Sequence, residues 1–373
     1  MSTRSAQNSK TLAREYYTGA SVYDRETENI FLKRWQYAGR ASSIAEPGAY
    51  FLRQIDSESV IVLRDHSGEI RAHHNVCRHR GTRLITEPEG RLSKSIQCLY
   101  HAWTYSLDGS LTGAPFMDEV ESFCKADYPL VSVSVALWEG CIFINLGAEP
   151  EPFEEAFAPL MGKFTAWELA DLEIAHSMTY EIAANWKLAV QNYSECYHCP
   201  ALHPALNQLT PFRNSSNDLE EGPFLGGPMR MSMDGGSMTM TGQRCAPPLG
   251  GLSGEALNCV QYYTIFPNLF LSLHPDYVLI HRIERLATDR SKIICDWLFH
   301  PSAIAEPDFD PSGAIEFWNM TNKQDWEVSE LSQQGISSRA YTPGPYAELE
   351  SMIAAWDRQY LDALNEGSSP TPP

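Results

Sequence analysis

Two short pairs of metal-binding side chains constrain this chain more than any other feature of its sequence. Cys77-x-His79 is followed, after eighteen residues, by Cys98-x2-His101. Each pair joins one thiolate to one imidazole, so two iron ions could each be held at two corners. Two cysteines and two histidines are the ligands of a [2Fe–2S] cluster in which the thiolates hold one iron and the imidazoles hold the other.

A tetrahedral Cys2His2 zinc site uses the same donor types and is the competing interpretation. Zinc fingers usually present C-x2–4-C followed by H-x3–5-H, with like donors paired. Here each pair is mixed. The segments Asn75–Gly81 and Cys98–Trp103 also look like the two cluster-binding loops of Rieske proteins, which favours the iron–sulfur cluster.

Composition and charge limit the partners of the chain. Its 373 residues suffice for two domains with a large core. With 28 Lys and Arg against 47 Asp and Glu, the net charge is −19, which disfavours nonspecific binding to nucleic acids or anionic membranes. The sequence has neither a run of about 18 apolar residues nor the apolar segment of a signal peptide at its start. We therefore expect a cytoplasmic protein that binds neither nucleic acids nor membranes.

Nine cysteines in a chain of this length do not indicate a disulfide framework. Two are assigned to the cluster, and the other seven are predicted to be reduced. Cys196 and Cys199 form a C-x2-C pair, for which packing beside a second metal site is a simpler explanation than redox chemistry. The remaining five are Cys124, Cys141, Cys245, Cys259 and Cys295.

The pattern along the chain predicts an α+β fold with two main domains. An N-terminal helical cap is expected over residues 1–32. A small antiparallel β domain, with the cluster loops at hairpin tips, is expected over 33–148. The acidic, proline-containing segment Glu149–Pro152 marks a boundary. A helix-bracketed antiparallel sheet should follow over 149–365, and 366–373 is predicted to be a disordered tail.

Local patterns predict the individual elements. Turn signals between β-rich runs predict two hairpins, around Asp65–Gly68 and around Asp108–Gly109. Pro211–Gly251, rich in Gly, Pro and Met, is predicted to be a long loop. The other predictions are strands at 140–146, 178–182, 259–265, 269–273, 277–283 and 293–299, and helices from about Trp186, over 314–331 and over 346–364.

A second group of candidate ligands lies in the segment Glu195–His203. On a continuous helix, His198 and His203 would point about 140° apart, but Pro200 interrupts the helix and lets the chain turn His203 back. Two imidazoles and one carboxylate on one face of Fe(II) leave positions open for O2, the arrangement of non-heme iron oxygenases. Taken alone, H-x4-H also suits two structural histidines.

The carboxylate ligand must come from elsewhere in the chain, and Asp325 is our choice. Trp318 and Trp326 give its helix an apolar side that can bury an acid. Glu327 and Glu330 are neighbours that could be mistaken for it, and a solvated acid is the alternative.

Glu195 lies three residues before His198, so the two are expected on one helix face. Its carboxylate could orient the His198 imidazole. It could equally accept a hydrogen bond from a cluster histidine and so join the two metal centres; a surface glutamate is the alternative.

Taken together, these motifs resemble the α subunits of Rieske non-heme iron oxygenases over about residues 30–365. Asn185–Lys187, Phe266–Tyr277 and Gly335–Arg339 also fit that family. In such a chain, electrons pass from a cluster histidine of one subunit, here His101, through the bridging acid to the iron of a neighbour, in a ring that is most often a trimer. The resemblance implies Cys77, His79, Cys98 and His101 for the cluster, His198, His203 and Asp325 for the catalytic iron, and Glu195 for the bridging acid.

Two details resemble the subgroup that acts on quaternary ammonium compounds such as glycine betaine, choline, carnitine and stachydrine. They are a Glu at the bridging position, where aromatic-ring dihydroxylases commonly have Asp, and the run Gln324-Asp325-Trp326. A methylated cation is bound by an aromatic cage. Candidate walls are Tyr193, Tyr197, Tyr262, Tyr263, Phe266, Phe270 and Trp318.

The hypothesis is a terminal oxygenase that hydroxylates a C–H bond with O2 at a mononuclear Fe(II). Hydroxylation of an N-methyl group would release formaldehyde and a demethylated amine. NAD(P)H electrons should arrive through a separate flavin/iron–sulfur reductase or ferredoxin, because no G-x-G-x-x-G follows a strand. The alternatives are a mono- or dioxygenase acting on an aromatic or O-methyl substrate with the same metals, and a Rieske electron carrier with an appended domain.

Overall fold

The computed structural model describes residues 9–366. It divides into two compact units, one of residues 31–156 (the β unit) and one of residues up to 30 together with those from 157 onward (the α+β unit). The N-terminal helices thus belong to the α+β unit, whereas the sequence suggested a separate cap. The first eight residues of that cap, and residues 367–373 of the predicted tail, lie outside the described range.

Antiparallel strands build the β unit. A seven-stranded sheet has the order β1-β10-β9-β4-β3-β2-β5, and a three-stranded sheet has the order β6-β7-β8. These ten strands of the described range are β1 (Gln36–Arg40), β2 (Ala49–Ile55), β3 (Glu58–Arg64), β4 (Ile70–His74), β5 (Glu89–Arg91), β6 (Ser95–Gln97), β7 (Thr104–Ser106), β8 (Leu111–Gly113), β9 (Ser132–Trp138) and β10 (Cys141–Asn145).

Both predicted hairpins are confirmed. β3 pairs with β4 around the 65–68 turn, and β7 pairs with β8 around Gly109. Gly109 has φ +93°, and an added Cβ would lie 2.7 Å from the His73 ring, so the turn requires glycine.

The α+β unit contains a six-stranded antiparallel sheet in the order β11-β16-β15-β14-β13-β12. Its strands are β11 (Glu173–Ile182), β12 (Phe224–Arg230), β13 (Cys259–Ile265), β14 (Leu269–Leu273), β15 (Val278–Ala287) and β16 (Arg290–Phe299).

Helices flank this sheet, and the predicted α+β class is confirmed. Among the described residues, no helix is both long and apolar enough to cross a bilayer. The helices, of which α3 alone belongs to the β unit, are α1 (Glu15–Thr18), α2 (Ala20–Glu26), α3 (Phe153–Ala156), α4 (Trp186–Tyr193), α5 (Cys199–Leu202), α6 (Pro204–Leu209), α7 (Pro301–Ile304), α8 (Ser312–Ile336) and α9 (Ser351–Asn365).

The prediction that Pro211–Gly251 is one long loop is wrong, because β12 lies within it. Gly226, Gly227 and Pro228 hide the strand pattern, although proline is tolerated on an edge strand such as this one. Gly226 is needed because β12 and β13 lie close together here: a Cβ on Gly226 would lie 2.0 Å from the Tyr262 carbonyl oxygen of β13.

A buried carboxylate anchors α4. Glu26 of α2 accepts hydrogen bonds from Lys187, from the Trp186 indole at 3.0 Å, from Arg285 at 3.1 Å and from the Tyr360 hydroxyl at 2.7 Å. Burial lowers the pKa of Lys187 to about 8 against the opposing effect of Glu26, so the ammonium group depends on this acid. One carboxylate therefore ties together α2, α4, β15 and α9.

A second buried acid gives a test of this packing. The Asp357 carboxylate accepts hydrogen bonds from Gln191 of α4 and from the Tyr346 hydroxyl, both at 2.7 Å. Burial raises the pKa of Asp357 to about 7. The folded state therefore keeps a proton that the unfolded chain loses near pH 4, and its stability falls as the pH rises from about 4 to 7.

We expect Asp357→Asn to remove this dependence, which amounts to roughly 1.4 kcal/mol per pH unit at most. The thermal midpoint of the variant, relative to that of the wild type, should rise between pH 5 and pH 8. Asp362→Asn, at an exposed position of the same helix, is the control and should show no such change. An equal difference in midpoint at both pH values would contradict the role of Asp357.

Candidate metal centres and substrate cleft

The two cluster loops share one backbone geometry. The N–H of Cys77 and that of Cys98 each donate to the carbonyl five residues later, at 2.8 Å in both loops. The carbonyl of each cysteine accepts from the N–H four residues later, at 3.0 Å. That fourth residue has positive φ in both loops, +75° at Gly81 and +57° at Ala102. Both loops therefore hold their cysteine in the same local backbone conformation.

Only the second cluster loop joins a pair of neighbouring strands, β6 and β7. The first loop follows β4 and leads to β5, which pairs with β2 instead. A single bridge between Val76 and Arg83 closes it, and the Asn75 side chain accepts from the N–H groups of Leu84 and Ile85. The prediction of two hairpin tips is therefore wrong for the first loop.

The donors in these loops fit the predicted cluster. Cys77 and Cys98 are free thiols, 3% and 2% exposed. The rings of His79 and His101 lie with centroids 4.7 Å apart, and Nδ1 of His79 is buried without a hydrogen-bond partner. The Tyr105 hydroxyl lies 3.3 Å from Cys77 Sγ. Two thiols and two imidazoles are the donor set that a Rieske cluster needs.

A second donor set lies in the α+β unit, where the fold brings His198, His203 and Asp325 together. One ligand atom from each lies within 4.8 Å of the others. Nε2 of His203 is 2.7 Å from Asp325 Oδ1, and Nε2 of His198 is 3.5 Å from the same oxygen. Two imidazoles and one carboxylate are the facial ligand set of non-heme iron sites.

A turn positions Glu195 and His198, and the predicted shared helix face is wrong. α4 ends at Tyr193, and Pro200 lies in the first turn of the short helix α5, which begins at Cys199, instead of breaking a longer helix. The Glu195 carboxylate accepts from the N–H groups of Tyr197 and His198, which holds the turn outside a helix.

Each of these two candidate ligand histidines is oriented through its other ring nitrogen. Nδ1 of His198 is 2.6 Å from Glu195 Oε1, and Nδ1 of His203 is 2.7 Å from Gln324 Oε1. Both Nε2 atoms are left to face Asp325. Sequence reasoning gave Gln324 no such role; its only signal was its position next to Asp325. Such partners fix the tautomer and the orientation of a metal ligand.

Charge at this site favours a cation. Burial opposes a charged imidazole, yet hydrogen bonds with Asp325 and Glu195 raise the pKa of His198 to about 9. Burial also raises the pKa of Asp325, but its bonds with the two histidines outweigh this and lower it. The residues thus fit a bound metal cation.

The two acids that could be confused with Asp325 lie elsewhere. Glu327 is exposed, and Oε1 of Glu330 accepts the backbone N–H of Ala183 at 2.8 Å. Neither belongs to the group that could hold a metal ion.

An aromatic wall shares a cleft with the three candidate ligands. It consists of Tyr193, Tyr262 and Trp318. The ring centroids of Tyr193 and Tyr262 are 6.3 Å apart at 79°, and those of Tyr262 and Trp318 are 6.2 Å apart at 69°. Three steeply inclined rings form part of a cage.

The other predicted wall residues do not line the cleft. Tyr197 is 54% exposed. Tyr263 points to the opposite face of β13 from Tyr262, where its hydroxyl donates to Asp218. Phe266 packs near Trp356, and Phe270 lies behind Tyr193, stacked at 4.1 Å.

Cys196 and Cys199 are joined by a disulfide, so the prediction that both are reduced is wrong. The turn brings their Cα atoms to 4.9 Å, and the Cys199 N–H donates to the Cys196 carbonyl at 3.2 Å. The other seven cysteines are free thiols.

Both halves of the chain match known families. Residues 34–124 match the Rieske [2Fe-2S] domain, and residues 169–366 match the ring hydroxylating alpha subunit (catalytic domain). The chain belongs to the Rieske-type ring-hydroxylating oxygenase α subunits. It is therefore an O2-dependent oxidoreductase that uses a Rieske cluster and a mononuclear iron, as the resemblance implied. Oxygenase subunits of this family form oligomers and receive electrons from partner proteins.

Several relatives are similar along much of the chain. The glycine betaine monooxygenase oxygenase subunit of Pseudomonas aeruginosa is 30% identical, covering 92% of this chain and 86% of the relative. The carnitine monooxygenase oxygenase subunit of Acinetobacter baumannii is 37% identical over 52% of this chain and 53% of its own length. A crystal structure of the quaternary ammonium Rieske monooxygenase CntA has 25% identity and a TM-score of 0.81, covering 97% of this chain and 98% of that one.

Replacing Asp325 by Ala should remove the mononuclear iron, because two imidazoles alone hold Fe(II) weakly. Iron analysis should fall from about three to about two ions per chain, while the visible spectrum of the cluster stays intact. Glu327→Ala, at an exposed position of the same helix, should keep the full iron content. Unchanged iron in the Asp325 variant would exclude it as a ligand.

Proposed function

We propose that this oxygenase hydroxylates an N-methyl group of a quaternary ammonium compound. The observation that carries the proposal is the aromatic wall of Tyr193, Tyr262 and Trp318 in the same cleft as the ligand triad. Aromatic faces attract a methylated cation without a strong anion. The relatives named for glycine betaine and carnitine, and the CntA structure in complex with gamma-butyrobetaine at 26% identity, support this substrate class.

The reaction balances as a mono-oxygenation. One oxygen atom of O2 enters a methyl C–H bond and the other leaves as water, which consumes two electrons from the reductase and two protons. The hydroxymethyl ammonium product then breaks its C–N bond and yields formaldehyde, a tertiary amine and a proton. The triad His198, His203 and Asp325 would hold the ferrous ion, which supplies O2 activation when bound. The chain's own cleft holds the methylated head beside it.

We assign the bridging role to Glu195. Its side chain is 10% exposed and contacts the ligand His198 directly. Both residues line the substrate cleft and also a second recess of the α+β unit, with Gln191 and Tyr346. In our proposal, His101 of a neighbouring copy approaches Glu195 from this recess, in a ring of three subunits. Cys77, His79, Cys98 and His101 hold the cluster of each subunit.

Electrons reach that cluster from a separate flavin/iron–sulfur reductase or a ferredoxin in this proposal. NAD(P)H therefore acts only through the partner. The sequence offers no dinucleotide-binding fingerprint of its own.

The function is tested by coupling the holoenzyme to a surrogate reductase with NADH. Oxygen uptake and formaldehyde should rise together, close to one for one, with trimethylammonium substrates. The Asp325→Ala variant serves as the blank. Oxygen uptake with aromatic or O-methyl compounds, but formaldehyde from no N-methyl compound, would reject demethylation in favour of the alternative substrates.

Glu195→Gln should keep both metal centres and lose electron transfer between them. After single-turnover mixing of reduced enzyme with substrate and O2, we expect cluster reoxidation to slow by about 100-fold or more, because the charged acceptor of two histidine protons is lost. The midpoint potential and iron content should not change. Glu327→Gln is the matched control, and normal reoxidation in the Glu195 variant would disprove bridging.

A further inference from the structure

We propose that the Cys196–Cys199 disulfide is a reversible thiol–disulfide site that controls how firmly the turn between α4 and α5 holds Glu195 and His198. A dithiol reductant opens the bond, and a small-molecule disulfide closes it again. The part of the inference that concerns His198 needs only the family membership of the chain. The part that concerns electron transfer rests on the bridging role proposed for Glu195.

The disulfide surrounds a candidate iron ligand. Cys196 directly follows Glu195 and Cys199 directly follows His198, so the bond joins the two residues that come after these side chains. Nδ1 of His198 lies 2.6 Å from Glu195 Oε1. A shift of Cys196 therefore reaches the carboxylate that orients His198 through a single peptide bond.

A purely structural role explains this disulfide poorly. The bond spans a sequence separation of 3, and cross-links that close short loops add the least stability in the chain-entropy model. The other seven cysteines are free thiols, so the bond belongs to no larger framework. C-x-x-C is also the spacing of disulfide oxidoreductases, whose disulfides open and close. A local, reversible bond fits these observations better.

Opening the bond requires room. Nonbonded heavy atoms lie roughly 3.5–4.0 Å apart, whereas bonded sulfur atoms lie about 2.0 Å apart, so the two thiols must separate. Cys199 is 2% exposed and belongs to a core cluster with Trp297 and Trp318, which leaves it little freedom. Cys196 is half-buried and packs against the same cluster from outside. The movement therefore falls on Cys196 and on the adjacent Glu195.

The contacts of Glu195 are those that this movement weakens. Its carboxylate accepts from the N–H groups of Tyr197 and His198 and lies against Nδ1 of His198. Losing an outer partner of a metal ligand typically lowers metal affinity or activity about 10–100-fold. Reduction should therefore loosen the ferrous ion and displace the bridging carboxylate.

A reductant can approach from the substrate cleft, because both cysteines line it. Within residues 9–366, the lining of the recess where we place His101 of a neighbour includes neither cysteine. A neighbouring subunit in that recess therefore occupies a different side of the turn.

The exchange is a two-electron reduction. A thiolate of the dithiol attacks Sγ of Cys196, the less buried sulfur, and Cys199 leaves as a thiolate that takes up a proton. The second thiol of the reagent then attacks the mixed disulfide and frees Cys196. The chain gains two electrons and two protons, and the reagent becomes a cyclic disulfide.

Dithiothreitol is the probe for this exchange. The iron-loaded holoenzyme is treated with it anaerobically, separated from it by gel filtration and mixed with a ferrous chelator. Cys196 and Cys199 should become open to alkylation, and capture of the mononuclear iron should accelerate about tenfold or more. Oxidised glutathione should restore slow capture. Alkylation of both cysteines before any reduction, or iron capture that stays slow after it, would overturn the inference.

Cys196→Ser separates the opening of the bond from any affinity of the reagent for iron. Because this variant cannot form the disulfide, its iron should be captured quickly with and without dithiothreitol. Cys124→Ser removes an exposed free thiol of the β unit and should respond as the wild type does. A Cys196 variant that retains iron as firmly as the oxidised wild type would deny the disulfide a role at the metal site.

Reoxidation of the cluster tests the part that concerns Glu195. At matched iron content, single-turnover reoxidation should be about tenfold slower in the dithiol form than in the disulfide form. Faster iron capture with normal reoxidation would overturn the effect on Glu195 and restrict the disulfide to His198. Alkylation and iron capture need no substrate, so a negative formaldehyde assay would reject the proposed function without touching this inference.

Discussion

The position of the candidate iron site depends on one buried carboxylate, that of Glu26. Two of its donors, Trp186 and Lys187, lie in the first turn of α4, and the others come from β15 and α9. Because α4 leads into the turn that carries Glu195 and His198, an anchored start of this helix sets where the turn begins. Losing one partner of a buried ion pair typically costs about 3–5 kcal/mol, so this part of the chain has little freedom to shift.

Much of the site could be predicted because metal ligands leave local signals. The mixed pairs ending at His79 and His101 indicate their chemistry through the pairing of unlike donors and through their flanking residues. Turn signals between β-rich runs predict both hairpins, and local sequence patterns predict most strands of the α+β sheet and α8. Asp325 is harder, since it lies 122 residues from His203 and only the tertiary fold joins them. The flanking tryptophans favour it over nearby acids because they indicate burial.

The features that could not be predicted depend on tertiary contacts, which leave no periodic pattern in the sequence. Tyr262 and Tyr263 are adjacent aromatic residues of β13. Because side chains alternate along a strand, the sequence predicts that they lie on opposite faces of the sheet, but it does not show which one faces the cleft. β12 is not visible in the sequence because Gly226 is required for close contact with the backbone of β13, and glycine has a low strand propensity. The turn at Glu195 likewise reflects a carboxylate that competes with helix formation for backbone amides.

Charge connects the metal site with substrate recognition. Asp325 and Glu195 raise the pKa of His198 to about 9, so a proton occupies this site until a metal ion displaces it. A further acid, added to attract a cationic substrate, would compete with Asp325 as a ligand and increase the negative charge of the site. Aromatic rings avoid this conflict because they attract a methylated cation through their quadrupole and add no negative charge to the site. A wall of Tyr193, Tyr262 and Trp318 can therefore hold a cation in the same cleft as the metal cation without disturbing its ligands.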